Sequence, residues 1–184
     1  MGSSDTAYRG WGFWAWDSQV EVWLHLLAEE SAGVVERVGW LDEAARDWRV
    51  QATAGYVGCV SAGLDRHLGG DADRVAVVLG LSGRARARLM GWSPAIPTDV
   101  VNGFGTGGAG SRFESEPSVE PFLACADAFM ALLREGVCLR AREVAEGRAA
   151  QEIEAFYGGA PAPLPDGVVP ADDGELAAGD AAQW

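Results

Sequence analysis

Lysine is absent from this chain, and all 14 of its basic residues are arginine. The absence excludes chemistries that need a primary amine. A Walker-type phosphate loop lacks its lysine, and a Schiff-base enzyme lacks its nucleophile, because a guanidinium keeps its proton. Histidine is nearly absent too, with only His25 and His67, and the three cysteines (Cys59, Cys125 and Cys138) are widely spaced. With no Cys-x-x-Cys pair, zinc-finger and zinc-ribbon spacings are excluded. Odd in number and set in apolar patterns, the cysteines read as buried free thiols of a reducing compartment. A run of about 18 uncharged apolar residues is also missing, so no membrane-spanning helix is expected. Met1 to Asp5 are polar rather than basic and then apolar, so no secretory leader is read there and a cytoplasmic location is expected.

What is present is acid. The formal net charge is −13, and residues 158–184 hold five acids and no base, which leaves −8 on residues 1–157. Such a surface repels nucleic acid and attracts a basic protein. The same last stretch holds four of the eight prolines among alanines, glycines and acids. It cannot bury enough surface to offset the entropy of ordering, so a helical domain over 1–157 and a disordered tail over 158–184 are expected. Leu176 and Trp184 stand out on that tail as a terminal docking motif.

The fold class expected is all-α, a bundle of five or six helices. After the aromatic cluster Trp11 to Trp16, a helix capped by Asp17 or Ser18 runs to about Ala32. Val20, Trp23, Leu24 and Leu27 form its apolar stripe, while Ser18, Glu21, His25 and Glu29 line a polar, solvated side. A second helix is read over 41–68, with a break near Gly55 as the alternative. The third, after a cap at Asp71, reaches Met90, with Gly80 and Gly83 as points where it divides. A long Gly-rich loop occupies about 91–117, including a short extended piece at 99–101. From a cap at Ser118, Phe122, Ala126, Phe129 and Leu133 then repeat at helical spacing, and a continuation to about Phe156 is read beyond Gly136. The first, second and last of these helices are expected to form the centre.

Several constellations carry possible chemistry. Glu21, His25 and Glu29 lie one turn apart and are of the types that ligate metals or move protons, but the second Glu-x-x-His of a di-iron bundle is missing, so no metal and no cofactor is expected. Residues 75–89 match the small, turn and apolar positions of a helix-turn-helix, with Arg84, Arg86 and Arg88 on the recognition helix. Gly103 to Gly108 satisfy a Gly-x-Gly-x-x-Gly string, yet neither a preceding strand nor a following helix is read around it. Of the eight tryptophans, Trp23 and Trp48 fit core stripes, and Trp14 or Trp16 is expected to plug the bundle end. Trp11, Trp92 and Trp184 are expected to be exposed, and with Leu176 they are the candidate partner-binding residues.

These features favour a non-catalytic acidic module that binds another protein, a basic one being the kind its charge would attract, either as a neutraliser of the immunity or antitoxin kind or as an adaptor. The first alternative is a helix-turn-helix regulator or antitoxin using Arg84, Arg86 and Arg88 on DNA. The second is a small metal- or thiol-dependent enzyme built on Glu21, His25, His67 and a cysteine, although no catalytic residue is singled out.

Overall fold

The computed structural model describes residues 2–34, 39–106 and 113–135. Its first element departs from the all-helical expectation. Strands β1 (Ser3–Tyr8) and β2 (Trp11–Trp16) form an antiparallel hairpin, in register from Ser3 opposite Trp16 to Tyr8 opposite Trp11. Ser4, Thr6, Tyr8, Phe13 and Ala15 point inward and are buried, while Asp5, Ala7 and Trp14 face outward. This is the two-residue alternation of a half-buried ribbon. Arg9 and Gly10 close it with φ of 53° and 78°, the two positive values of a type I′ turn, whose twist matches the strands. The Arg9 N–H donates to Asp65 Oδ1 at 2.8 Å, so this uncommon arginine conformation is held from a distant part of the chain.

Helix α1 (Asp17–Ala32) follows β2 directly. Its N-cap is Trp16, not Asp17 or Ser18. The Trp16 N–H donates to Gln19 Oε1 at 3.2 Å, one half of a capping box. Asp17 turns inward instead, accepting from Ser4 Oγ at 2.6 Å and from the Gly58 N–H at 3.0 Å, and Ser4 Oγ accepts in turn from the Val60 N–H at 2.8 Å. This network ties the hairpin, α1 and the segment after α2 (Gly39–Thr53) to one buried carboxylate.

The second helix stops at Thr53 because the backbone turns left-handed at Gly55 and Gly58, and only a short α3 (Leu64–Leu68) follows. Cys59 is consequently exposed, against the expectation of a buried thiol, whereas Cys125 is buried. Helix α4 (Ala72–Met90) is capped by Asp71, whose side chain accepts from the N–H groups of Asp73 and Arg74. It is unbroken, because Gly80 and Gly83 lie exposed on its outer face. A Cβ added at either meets nothing within 4 Å. Gly80→Ala and Gly83→Ala are therefore each expected to raise stability by about 0.5–1 kcal/mol. Urea unfolding checks this, and a loss at either site would mean that the face is covered in solution.

Within the long connection, α5 (Thr98–Gly103) replaces the extended piece expected at 99–101, and an antiparallel bridge joins Ala95 to Ser118. Helix α6 (Glu120–Glu135) closes the described structure, with Ser118 Oγ accepting from the Glu120 N–H at 3.3 Å. Its stripe Phe122, Ala126, Phe129 and Leu133 is buried as expected.

Helix α1 packs against α2, α4, α6 and the hairpin, and α4 against α6. The centre thus adds α4 to the three helices anticipated. Trp23 meets Phe129 edge-on at 5.6 Å in this core. The chain is mostly helical with a small sheet, and among the described residues no helix is long and apolar enough to cross a membrane. The helix expected beyond Gly136 and the tail, with Cys138, Leu176 and Trp184, lie outside the described residues.

Candidate functional site

Because α1 is surrounded, its polar side is only partly solvated, with Ser18 and Glu29 keeping some exposure. Glu21 is 2% exposed and His25 is largely covered. Phe104, the C-cap residue of α5, stacks on the His25 ring at 4.5 Å and 28°. His25 Nε2 lies 3.2 Å from Glu29 Oε1, and Arg88 of α4 donates to Glu29 Oε2 at 2.6 Å. The Arg88 guanidinium lies 5.5 Å over the ring of Trp92, and Trp92 returns to Phe104 at 6.0 Å. Five side chains from α1, α4, the turn after α4 and the end of α5 therefore form a closed ring of contacts.

Charge in this ring follows its surroundings. Burial holds the His25 imidazole below its ordinary range, against the opposing pull of Glu29. Burial pushes the Glu29 carboxyl up, but hydrogen bonding to Arg88 and the charges of His25 and Arg88 outweigh it, and the net shift is downward. Glu29 is thus a carboxylate that accepts from both sides.

Four exposed acids lie on the segments from Trp92 to the start of α6. The Ile96 N–H donates to Pro117 O at 2.9 Å and the Val119 N–H to Pro94 O at 3.0 Å. At the other end the Asn102 amide brackets Phe113, donating to its carbonyl at 3.1 Å and accepting from its N–H at 2.8 Å. These ties hold 94–102 against 113–119, the two segments that carry the acids Asp99, Glu114 and Glu116, and Glu120 follows at the start of α6. All four are exposed, and none forms an ion pair with a described residue.

The arginines behave in the opposite way. Arg84 meets Glu30 at 3.1 Å, Arg86 meets Asp127 at 2.5 Å, and Arg88 meets Glu29. Hydrogen bonding to Asp127 raises the Arg86 pKa further. The helix-turn-helix expected over 75–89 is not formed: the segment is one helix without a turn, and its three guanidiniums are engaged by the protein's own acids.

The other anticipated residues are dispersed. Trp92 is half-buried on the ring, and Trp11 is half-buried against the core rather than exposed. Trp14 is the exposed one of its cluster, at 44%, so it does not plug the bundle end. His67 is 3% exposed and sits 3.2 Å from Asp47 Oδ2, which also holds Arg66 at 3.0 Å. Burial pushes the Cys125 thiol up to about 12. Neither described cysteine hydrogen-bonds an imidazole, and among the described residues no three His, Cys, Asp or Glu side chains group as metal ligands. Gly103 ends helix α5, so no strand precedes the Gly-x-Gly string, and Gly107 and Gly108 lie outside the described residues.

Sequence reasoning reached His25 with Glu29, Arg88 and Trp92, each in a different constellation. It missed Phe104, and it missed the four exposed acids as a group. The i, i+4 spacings of His25 with Glu29 and of Arg88 with Trp92 are the local signals that each pair belongs together. Comparison with protein-family models, with curated proteins and with solved structures finds no match for the chain.

Proposed function

We propose that this protein is a non-catalytic acidic module that binds a basic protein, with half-buried Trp92 as the anchor and Asp99, Glu114, Glu116 and Glu120 as the charged border. One observation carries the reading. The guanidiniums of α4 are spent on the protein's own acids, whereas Asp99, Glu114, Glu116 and Glu120 are exposed and form no ion pair with a described residue. An aromatic anchor inside a border of one charge is the arrangement by which interfaces combine affinity with steering of the partner. The module acts by occupying the partner's basic surface. Neutralisation of a basic protein and tethering of one are both served by that geometry. Leu176 and Trp184 provide a second contact in this reading.

The test is capture from native lysate at low salt on the immobilised full chain. It compares wild type with Trp92→Ala and with a variant carrying Glu114→Arg, Glu116→Arg and Glu120→Arg. A basic protein retained by wild type, weakened on the order of tenfold or more by each variant and released by added salt, is the expected result. Retention of nucleic acid in place of protein, or of a protein indifferent to both variants, overturns the proposal.

A further inference from the structure

We infer that the His25–Glu29–Arg88–Trp92–Phe104 ring couples protonation of His25 to the pose of Trp92, making the docking face sensitive to mild acid. The inference rests on the reading of Trp92 as a docking residue, and the geometry supplies the link. His25 touches Glu29 on one side and Phe104 on the other, and the two paths rejoin at Trp92, through Arg88 and directly.

The charged groups facing His25 are Glu29 of its own helix, Arg88 of α4 and Arg49 of α2. Arg49 is fixed by donating to Ala28 O at 3.0 Å. Phe104 brings no charge from the α5 side, and Glu21 lies buried one turn back on α1. With the ring neutral, Nε2 carries the hydrogen, because the Glu29 carboxylate only accepts. Protonation adds a cation facing two fixed arginines. Glu29, held by one cation before, is then shared by two, and repulsion weakens the hold of Arg88 on Glu29. The guanidinium that covers Trp92 is thereby loosened, and the indole loses one wall of its seat.

The sign of the accompanying stability change follows. Burial lowers the His25 pKa in the folded protein, so on acidification the unfolded chain takes up the proton first, below about pH 6.5. Stability falls from there until the folded imidazole is protonated as well. His67, also lowered by burial, acts in the same direction. Global stability therefore does not separate the two histidines, and a local signal is required.

That signal is the indole N–H resonance of Trp92 in the full chain, assigned with Trp92→Phe and followed from pH 7.5 to 5. In wild type it is expected to shift with one midpoint below 6.5, equal to the midpoint of the His25 ring carbon-bound proton. In His25→Gln the shift is expected to vanish, with the other indole signals reporting that the fold is kept. A Trp92 resonance that stays still while His25 titrates, that moves with a different midpoint, or that still moves in His25→Gln overturns the coupling. The wild-type comparison alone decides this if the variant does not fold. For the partner captured at pH 7.5, affinity at pH 5.5 is expected to fall on the order of fivefold or more in wild type and to stay level in His25→Gln. Absence of any captured basic protein overturns the docking reading, whereas the resonance titration judges the coupling by itself.

Discussion

Replacing Trp48 by alanine is expected to cost about 3–5 kcal/mol, the range for losing a large buried aromatic. Natural domains hold only about 5–15 kcal/mol, so the variant should unfold with a melting temperature lower by roughly 10 °C or more. The magnitude has two sources. Trp48 has no exposed surface, so its removal leaves a cavity in the core between α2 and its neighbours. Its indole N–H also donates to Ala62 O at 2.9 Å. That bond pins the irregular segment between α2 and α3 onto the helix, and His67 meets the same ring edge-on at 6.3 Å. Trp48→Phe separates the two sources, because it keeps most of the volume and leaves the Ala62 carbonyl without its donor. It is expected to cost about 1–3 kcal/mol, the desolvation penalty of an orphaned buried group. Urea unfolding followed by circular dichroism measures both. A loss under about 1 kcal/mol for Trp48→Ala would show that the site collapses around the change.

Trp48 also marks where local pattern suffices. Its spacing to Ala52 placed both on the buried face of a helix, and the same 3.6-residue logic located Val20, Trp23, Leu24 and Leu27 in α1 and Phe122 to Leu133 in α6. What failed was decided between distant residues. The hairpin alternates every second residue from Ser4 to Ala15, but six aromatic and small residues in a row at Trp11 to Trp16 hide that period. Its turn is not an Asn-Gly pair; it depends on Asp65, 56 residues away. The polar side of α1 was read as solvated because charge on one helix face ordinarily meets water. Here α2, α4 and α6 pack around the helix, so Glu21 is buried and His25 is largely covered. The arginines of α4 carried the composition of a DNA-reading helix, and only their tertiary partners on α1 and α6 show where their charge is spent. The candidate site has the same character. Its ring draws on three stretches, 25–29, 88–92 and 104; helical spacing pairs His25 with Glu29 and Arg88 with Trp92, but nothing local joins one pair to the other or to Phe104.

Asp17→Ala is the second large effect, expected to cost about 3 kcal/mol, since hydrogen bonds to a charged group each contribute about 1.5–3 kcal/mol. The carboxylate is 7% exposed and accepts from two donors that belong to different parts of the chain, Ser4 of β1 and the Gly58 backbone. Its place in the first turn of α1 adds the favourable field of the helix N-terminus. Alanine removes both acceptors and leaves the Gly58 N–H without a partner, while Ser4 Oγ still accepts from Val60. Asparagine is the sharper comparison. Its amide has one acceptor oxygen, and its NH2 would face a second donor in place of the missing oxygen. Asp17→Asn is therefore expected to recover only part of the loss. Hydrogen exchange locates the damage: protection should fall first in β1, β2 and the amides of Gly58 and Val60, with α4 and α6 following only on global unfolding. Uniform loss of protection would mean that the hairpin is integral to the helical core. Selective loss would make Asp17 the clasp by which an added ribbon is fastened to a helical body.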